Sequence, residues 1–237
     1  MPPAHVTPAR WLLLPGLDGS GELFSSFLEH VPGLDAVVVR YPDEPTAELD
    51  DYVRHAASAI GDAPRCVVIA ESFSGPVALR LHRLDERVVA IVLVASFVTC
   101  PHPLLRAFPV SAAIALARRA AFRPLLRAFC VGRDASRECV ERLRNVVRVM
   151  PADTLGARLV LLRSLDESAT LRATRVPLLY LRALRDRLVR TMLPRDAMPA
   201  SLREIAIDGP HFLLQARPRA CREAIAAWAA HGGLWSE

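Results

Sequence analysis

The chain has 237 residues, 52% hydrophobic and 23% charged, a balance that fits one folded α/β unit and excludes an intrinsically disordered chain. Its formal net charge is +5, and all 30 of its basic residues are arginine; no nucleic-acid-binding motif appears among them, so nucleic acid is not an expected partner. No apolar run approaches the roughly 18 residues of a membrane-spanning helix, and the opening MPPAHVTPARWLLLPG lacks the apolar core of a secretory signal.

The predicted elements alternate. Short, nearly continuous apolar runs read as strands at Trp11–Leu14, Ala36–Arg40, Cys66–Ala70, Ala90–Ala95, Pro177–Leu181 and Glu204–Ile207. Continuous rather than alternating runs suit parallel strands covered on both faces. Between them, Thr46 is placed to cap a helix carrying Leu49, Tyr52, Val53 and Ala56 on one side. Residues 76–83 form a second helix and Pro218–Ala230 a last one. The order predicts a doubly wound, mostly parallel sheet of about six strands, with ligands at the carboxyl ends of its strands.

Residues 97–174 break the rhythm. They contain no convincing strand and read as helices, with Val140, Leu143, Val146, Val147 and Met150 on one stripe and Glu138–Arg142 as an i,i+4 pair on the other side. The expected organisation is a core of residues 1–96 and 175–237 with a helical cap, 97–174, inserted between two strands. The five cysteines (66, 100, 130, 139 and 221) are widely spaced and include no C-x-x-C pair. Neither a disulfide framework nor a zinc site is suggested, which points to reduced thiols in the cytoplasm.

The stretch CVVIAESFSGPVALRL carries the chemistry. An apolar strand ends in Ser72-Phe73-Ser74-Gly75 and resumes as a helix. This is the pattern of a nucleophile elbow, where small residues must flank a strained serine; here Ala70 and Ser74 stand in the flanking places usually held by glycine. A serine needs a base, and the base an orienting acid. In the chain order Ser…Asp…His, Asp186 lies just past the fifth strand and His211 just past the sixth. Asp196 and Asp208 are rivals to Asp186, with Asp208 better suited to shaping the turn before His211. The Gly16-Leu17 turn in LLLPGLDGSG can aim a backbone N–H at the site, so the amides of Leu17 and Phe73 are the expected oxyanion-hole donors. Asp18 is read as a turn residue, and Glu71 as facing away without a chemical role. Ser74 is explained by its small size. The arginines at 133, 137, 142, 144 and 148 form a solvated helix face.

The segments LLLPGLDGSG, VVIAESFSG, YLRALRDRLV and DGPHFLLQ together resemble the α/β-hydrolase family, along nearly the whole chain. That resemblance implies a Ser–His–Asp site, an eight-stranded sheet here lacking its first two strands, and a helical cap. The size and single cap are similar to small bacterial carboxylesterases, among them the pimeloyl-acyl-carrier-protein methyl ester esterases, which would make an acyl carrier protein a candidate partner for the arginine face. The PGLDGSG loop is also similar to that of plastid phytyl-ester acyltransferases. The expected activity is hydrolysis of a small-molecule ester with an apolar acyl group, held by Phe97, Leu104, Leu105 and Phe108, with no metal or organic cofactor. Acyl transfer, thioester cleavage and a non-catalytic ligand-binding protein are the alternatives.

Overall fold

Six parallel strands run side by side in the order β2-β1-β3-β4-β5-β6. The computed structural model describes residues 9–107, 109–111, 114, 123–132, 136–230 and 234. The strands are β1 (Arg10–Leu14), β2 (Ala36–Val38), β3 (Cys66–Glu71), β4 (Val88–Val94), β5 (Leu178–Ala183) and β6 (Leu202–Ile207). All six expected strands are present, and every pairing is parallel. β2 is shorter than its apolar run because it is an edge strand that pairs with β1 alone.

Two apolar cores explain the continuous runs. Successive side chains of a strand point to opposite faces. Leu12, Leu14, Val68, Ala70, Ile91 and Leu93 therefore face one core, while Trp11, Leu13, Val67, Ile69, Ala90 and Val92 face the other. The first core is closed by α2 (Leu49–Ser58) and α3 (Ser74–Leu84), through residues such as Tyr52, Val53, Val77 and Leu81. The second is closed by the short α1 (Ser25–Leu28), which supplies Phe27, and by the C-terminal helix Pro218–Ala230, which supplies Cys221, Ile225 and Trp228.

Helix α2 does not start at Thr46. Its N-cap is Glu48, whose backbone N–H is accepted at 2.7 Å by Asp51 Oδ2 in a reciprocal capping box. Two acidic groups at this end also suit the positive pole of the helix dipole.

Between β4 and β5, the described residues form helices: α4 (Leu104–Ala107), α5 (Arg123–Cys130), α6 (Arg137–Val149), α7 (Ala152–Arg163) and α8 (Ser168–Ala173). Their strand content is one isolated bridge, Thr99 to Asp166. Ser136 caps α6 by accepting the Cys139 N–H at 3.1 Å. The predicted stripe on α6 turns inward, with Val140, Leu143, Val146 and Met150 buried. No helix among the described residues is long and apolar enough to cross a membrane. After β6 come α9 (Leu213–Ala216) and α10 (Pro218–Ala230).

Candidate active site

The turn from β3 into α3 is held in a strained form by its surroundings. Ser72 has φ +50°, in the left-handed region that non-glycine residues rarely occupy. Its N–H donates to Val94 O at 2.9 Å, and its carbonyl accepts the Ser96 hydroxyl at 2.6 Å. Gly75 is obligatory, because a Cβ there would stand 1.9 Å from Ser96 Oγ. Ser74 contributes more than small size. Its hydroxyl, fully buried, donates to Pro15 O and lies 2.7 Å from the Tyr41 hydroxyl, tying the elbow to the loop after β1.

Three side chains from separate strand ends meet here. His211 Nε2 lies 2.9 Å from Ser72 Oγ, and His211 Nδ1 lies 2.7 Å from Asp186 Oδ2. His211 is only 3% exposed. The second carboxylate oxygen, Asp186 Oδ1, accepts the N–H groups of Leu188 and Val189, both at 2.8 Å, which locks the acid in place. The rival acids lie elsewhere: Asp196 pairs with Arg172 at 3.0 Å, and Asp208 pairs with Arg185 at 2.7 Å.

Leu17 and Phe73 also border this point. Both line the cavity that opens at Ser72, and among the described residues neither backbone N–H donates a hydrogen bond. Asp18 bends back to Ser20, accepting its N–H at 3.0 Å and its hydroxyl at 2.5 Å. That closes the turn that presents Leu17.

The cavity has a volume of about 460 Å³, within the range of small-molecule sites. Phe97, Leu104 and Leu105 line it; Phe108 lies outside the described residues. Most of the remaining apolar wall comes from α6 (Leu143, Val146, Val147), from α7 (Leu155, Leu159, Leu162), and from Leu188, Val189 and Phe212 near Asp186 and His211. Phe212 is fixed by its own N–H, which donates to Cys130 O at 2.9 Å. Among the described residues no cluster of His, Cys, Asp or Glu is placed to hold a metal ion.

A sequence profile described as "Alpha/beta hydrolase family" matches residues 11–224. The chain belongs to this family. The family assigns the activity class, hydrolase. No curated protein matches the sequence. Among solved structures, this hydrolase is similar to an enol-lactonase from Burkholderia xenovorans, with TM-score 0.80, 13% identity, 96% of this chain and 93% of that chain covered. It is also similar to an esterase from Exiguobacterium antarcticum, with TM-score 0.75, 14% identity and coverage of 94% and 92%. A thermophilic esterase from Thermogutta terrifontis gives TM-score 0.73, 17% identity and coverage of 95% and 90%. These likenesses establish a shared fold.

Two features of the hydrolase's site are not legible in its sequence. Arg158 of α7 is fully buried and, among the described residues, has no carboxylate partner. Its guanidinium donates to Leu17 O at 2.9 Å, Pro42 O at 3.0 Å and the Tyr52 hydroxyl at 3.2 Å. Gly19 makes room for it, since a Cβ there would lie 2.5 Å from Nη1. In the run ARLVLLR this arginine resembles any surface arginine, and only the tight glycine turn of the PGLDGSG loop hints at a neighbour. The second is Glu71. It is buried, at 1% exposure, and its Oε2 accepts an N–H from Gln215 at 3.2 Å. From the sequence it is expected to face away along the turn without a chemical role, and nothing in the local pattern signals its burial.

Proposed function

We propose that the protein is a serine-dependent hydrolase of carboxylic esters that works through an acyl-enzyme. One observation carries this reading: Asp186, His211 and Ser72 form a continuous hydrogen-bonded chain that ends at an apolar cavity. His211 takes the proton as the Ser72 hydroxyl attacks the ester carbonyl, and Asp186 holds the imidazole tautomer and offsets its charge. The Leu17 and Phe73 amides stabilise the tetrahedral oxyanion. His211 then protonates the departing alcohol, and water activated by the same imidazole releases the acid. The apolar acyl chain lies against Phe97, Leu104 and Leu105. We place the enzyme in the reducing cytoplasm, a setting supported by five free cysteines, all buried.

A carrier-bound acyl ester is the second reading. Arg137, Arg144 and Arg148 stand exposed along α6, and a row of cations favours an acidic partner such as an acyl carrier protein. Acyl transfer to an alcohol and thioester cleavage would use the same groups, and product analysis with competing alcohols separates them from hydrolysis.

The test is Ser72→Ala assayed on p-nitrophenyl esters of increasing acyl length, with a carrier-linked ester as a further arm. Turnover should fall by about 10⁴ or more with an unchanged melting temperature, and a fluorophosphonate probe should label the wild type at Ser72 only. Near-normal turnover in Ser72→Ala refutes the assignment.

A further inference from the structure

Beside the Ser72–His211 pair, two buried groups that do not line the cavity share an unmet need for hydrogen. Glu71 ends β3 and precedes Ser72. Gln215, 7% exposed, lies on α9, four residues after His211. Gln215 Nε2 donates both to Glu71 Oε2, at 3.2 Å, and to Leu23 O, at 3.3 Å. These two bonds fix which end of the amide is nitrogen. Among the described residues they also leave Gln215 Oε1 and Glu71 Oε1 buried with no partner. Two unpaired oxygens on adjoining groups are satisfied by one hydrogen between them.

We propose that Glu71 carries that hydrogen, and that the neutral acid–amide pair it forms with Gln215 clamps the histidine loop against the nucleophile elbow. The proposal rests on the reading of Ser72 as nucleophile. A carboxylic acid and an amide can exchange two hydrogen bonds: amide N–H to acid carbonyl, which is already made at 3.2 Å, and acid O–H to amide oxygen, for which the added hydrogen is the donor. The clamp reaches the base directly, because the Leu213 N–H donates to His211 O at 2.9 Å and residues 211–216 form one bonded segment. Glu71 and Gln215 are positioning residues, since neither touches the reacting atoms.

The charges around Glu71 favour the acid form. Asp18 faces it from the loop after β1, the Cys139 thiol from α6 and the Cys221 thiol from α10. Among the described residues no cation pairs with it. Burial, followed by the Asp18 charge, raises its pKa to about 8. The sign follows. Below that value the acid holds its hydrogen and the clamp is closed. Above it, a carboxylate faces the Gln215 oxygen and Asp18, the clamp opens, and the Ser72–His211 contact loosens. Neither Glu71 nor Gln215 lines the cavity, so kcat is affected and KM is not.

The experiment is the pH profile of kcat on a short p-nitrophenyl ester between about pH 6 and 10. Wild-type kcat should fall above about pH 8. Glu71→Gln supplies a permanent donor in place of the acid. It should retain wild-type kcat within about threefold at pH 7 and lose the alkaline fall. Glu71→Leu, with no donor, should lower kcat about tenfold or more at every pH while KM stays within about twofold. The exchange Glu71→Gln with Gln215→Glu rebuilds the pair in reverse and should restore the alkaline fall. A flat wild-type profile, or an alkaline fall that persists in Glu71→Gln, overturns the clamp. If Glu71→Leu does not fold, Glu71→Gln and the exchanged pair carry the test alone. Ser72→Ala separates the two claims: an active Ser72→Ala defeats the nucleophile reading, whereas an inactive one with an unchanged Glu71→Gln profile defeats only the clamp.

Discussion

The elbow after β3 and the inserted helix α7 both bury polar groups beside the same cavity, but their constraints come from different distances along the chain. The elbow is held by its near neighbours. Gly75 N–H returns to Ser72 O, and Ser96, 24 residues on, ties down the same carbonyl. The polar contacts of Arg158 in α7 lie 106 to 141 residues away, at Tyr52, Pro42 and Leu17. A short-range constraint leaves a trace in the local residue pattern: small, glycine-rich, at fixed offsets. A long-range one leaves almost none, because two of the three partners are backbone carbonyls that any sequence would supply.

Breaking the triad end of this comparison should have the largest effect. Asp186→Asn leaves an oxygen to accept the Leu188 and Val189 N–H groups, so the fold should persist. It removes the acceptor that selects the His211 tautomer, and kcat should drop by about 10⁴ at unchanged melting temperature. A loss below about tenfold would mean that Asp186 does not orient the base.

Breaking the helix end should weaken stability and turnover together. Arg158→Met leaves the part-buried Leu17 and Pro42 carbonyls without this donor, at a cost of about 3 kcal/mol, seen as a fall of about 10 °C in thermal melting. Because Leu17 carries a proposed oxyanion donor, kcat should also fall by about tenfold or more. Arg158→Lys should recover little, since a point charge cannot span three acceptors as a planar fork does. Full activity in a folded Arg158→Met would separate α7 from the oxyanion loop.

The smallest effect sharpens the comparison rather than breaking it. Val147 of α6 is half-buried and faces the cavity. Val147→Phe should leave melting nearly unchanged and lower kcat/KM for the longest acyl ester about tenfold relative to the acetate. An equal change for all chain lengths would remove α6 from the acyl wall.

Much of this molecule was legible before its structure. The six apolar runs became six parallel strands, because a strand buried on both faces must be apolar at every position. The helices on both faces followed from the same pattern, while the family resemblance rested on the four motif segments at the strand ends. Ser72, Asp186 and His211 could be proposed from their places at strand ends, since a doubly wound sheet collects those ends at one rim. Helix starts were less legible: Thr46 and Glu48 are both adequate caps, and the choice fell to Glu48, which gains a reciprocal bond from Asp51. Leu104 and Leu105 could be assigned to the cavity from their apolar character near its entrance, but the contribution of α6 and α7 could not, because an inward stripe does not say what it faces.

By itself, the sequence determined the elements, their order and the residue types that meet at the strand ends, since these depend on periodicity and on steric rules spanning a few residues. Only the tertiary structure decided which buried groups lack charge partners. Arg158 holds three neutral oxygens and Glu71 faces an amide, and those environments are assembled from chain segments whose distance in sequence carries no information about their contact in space.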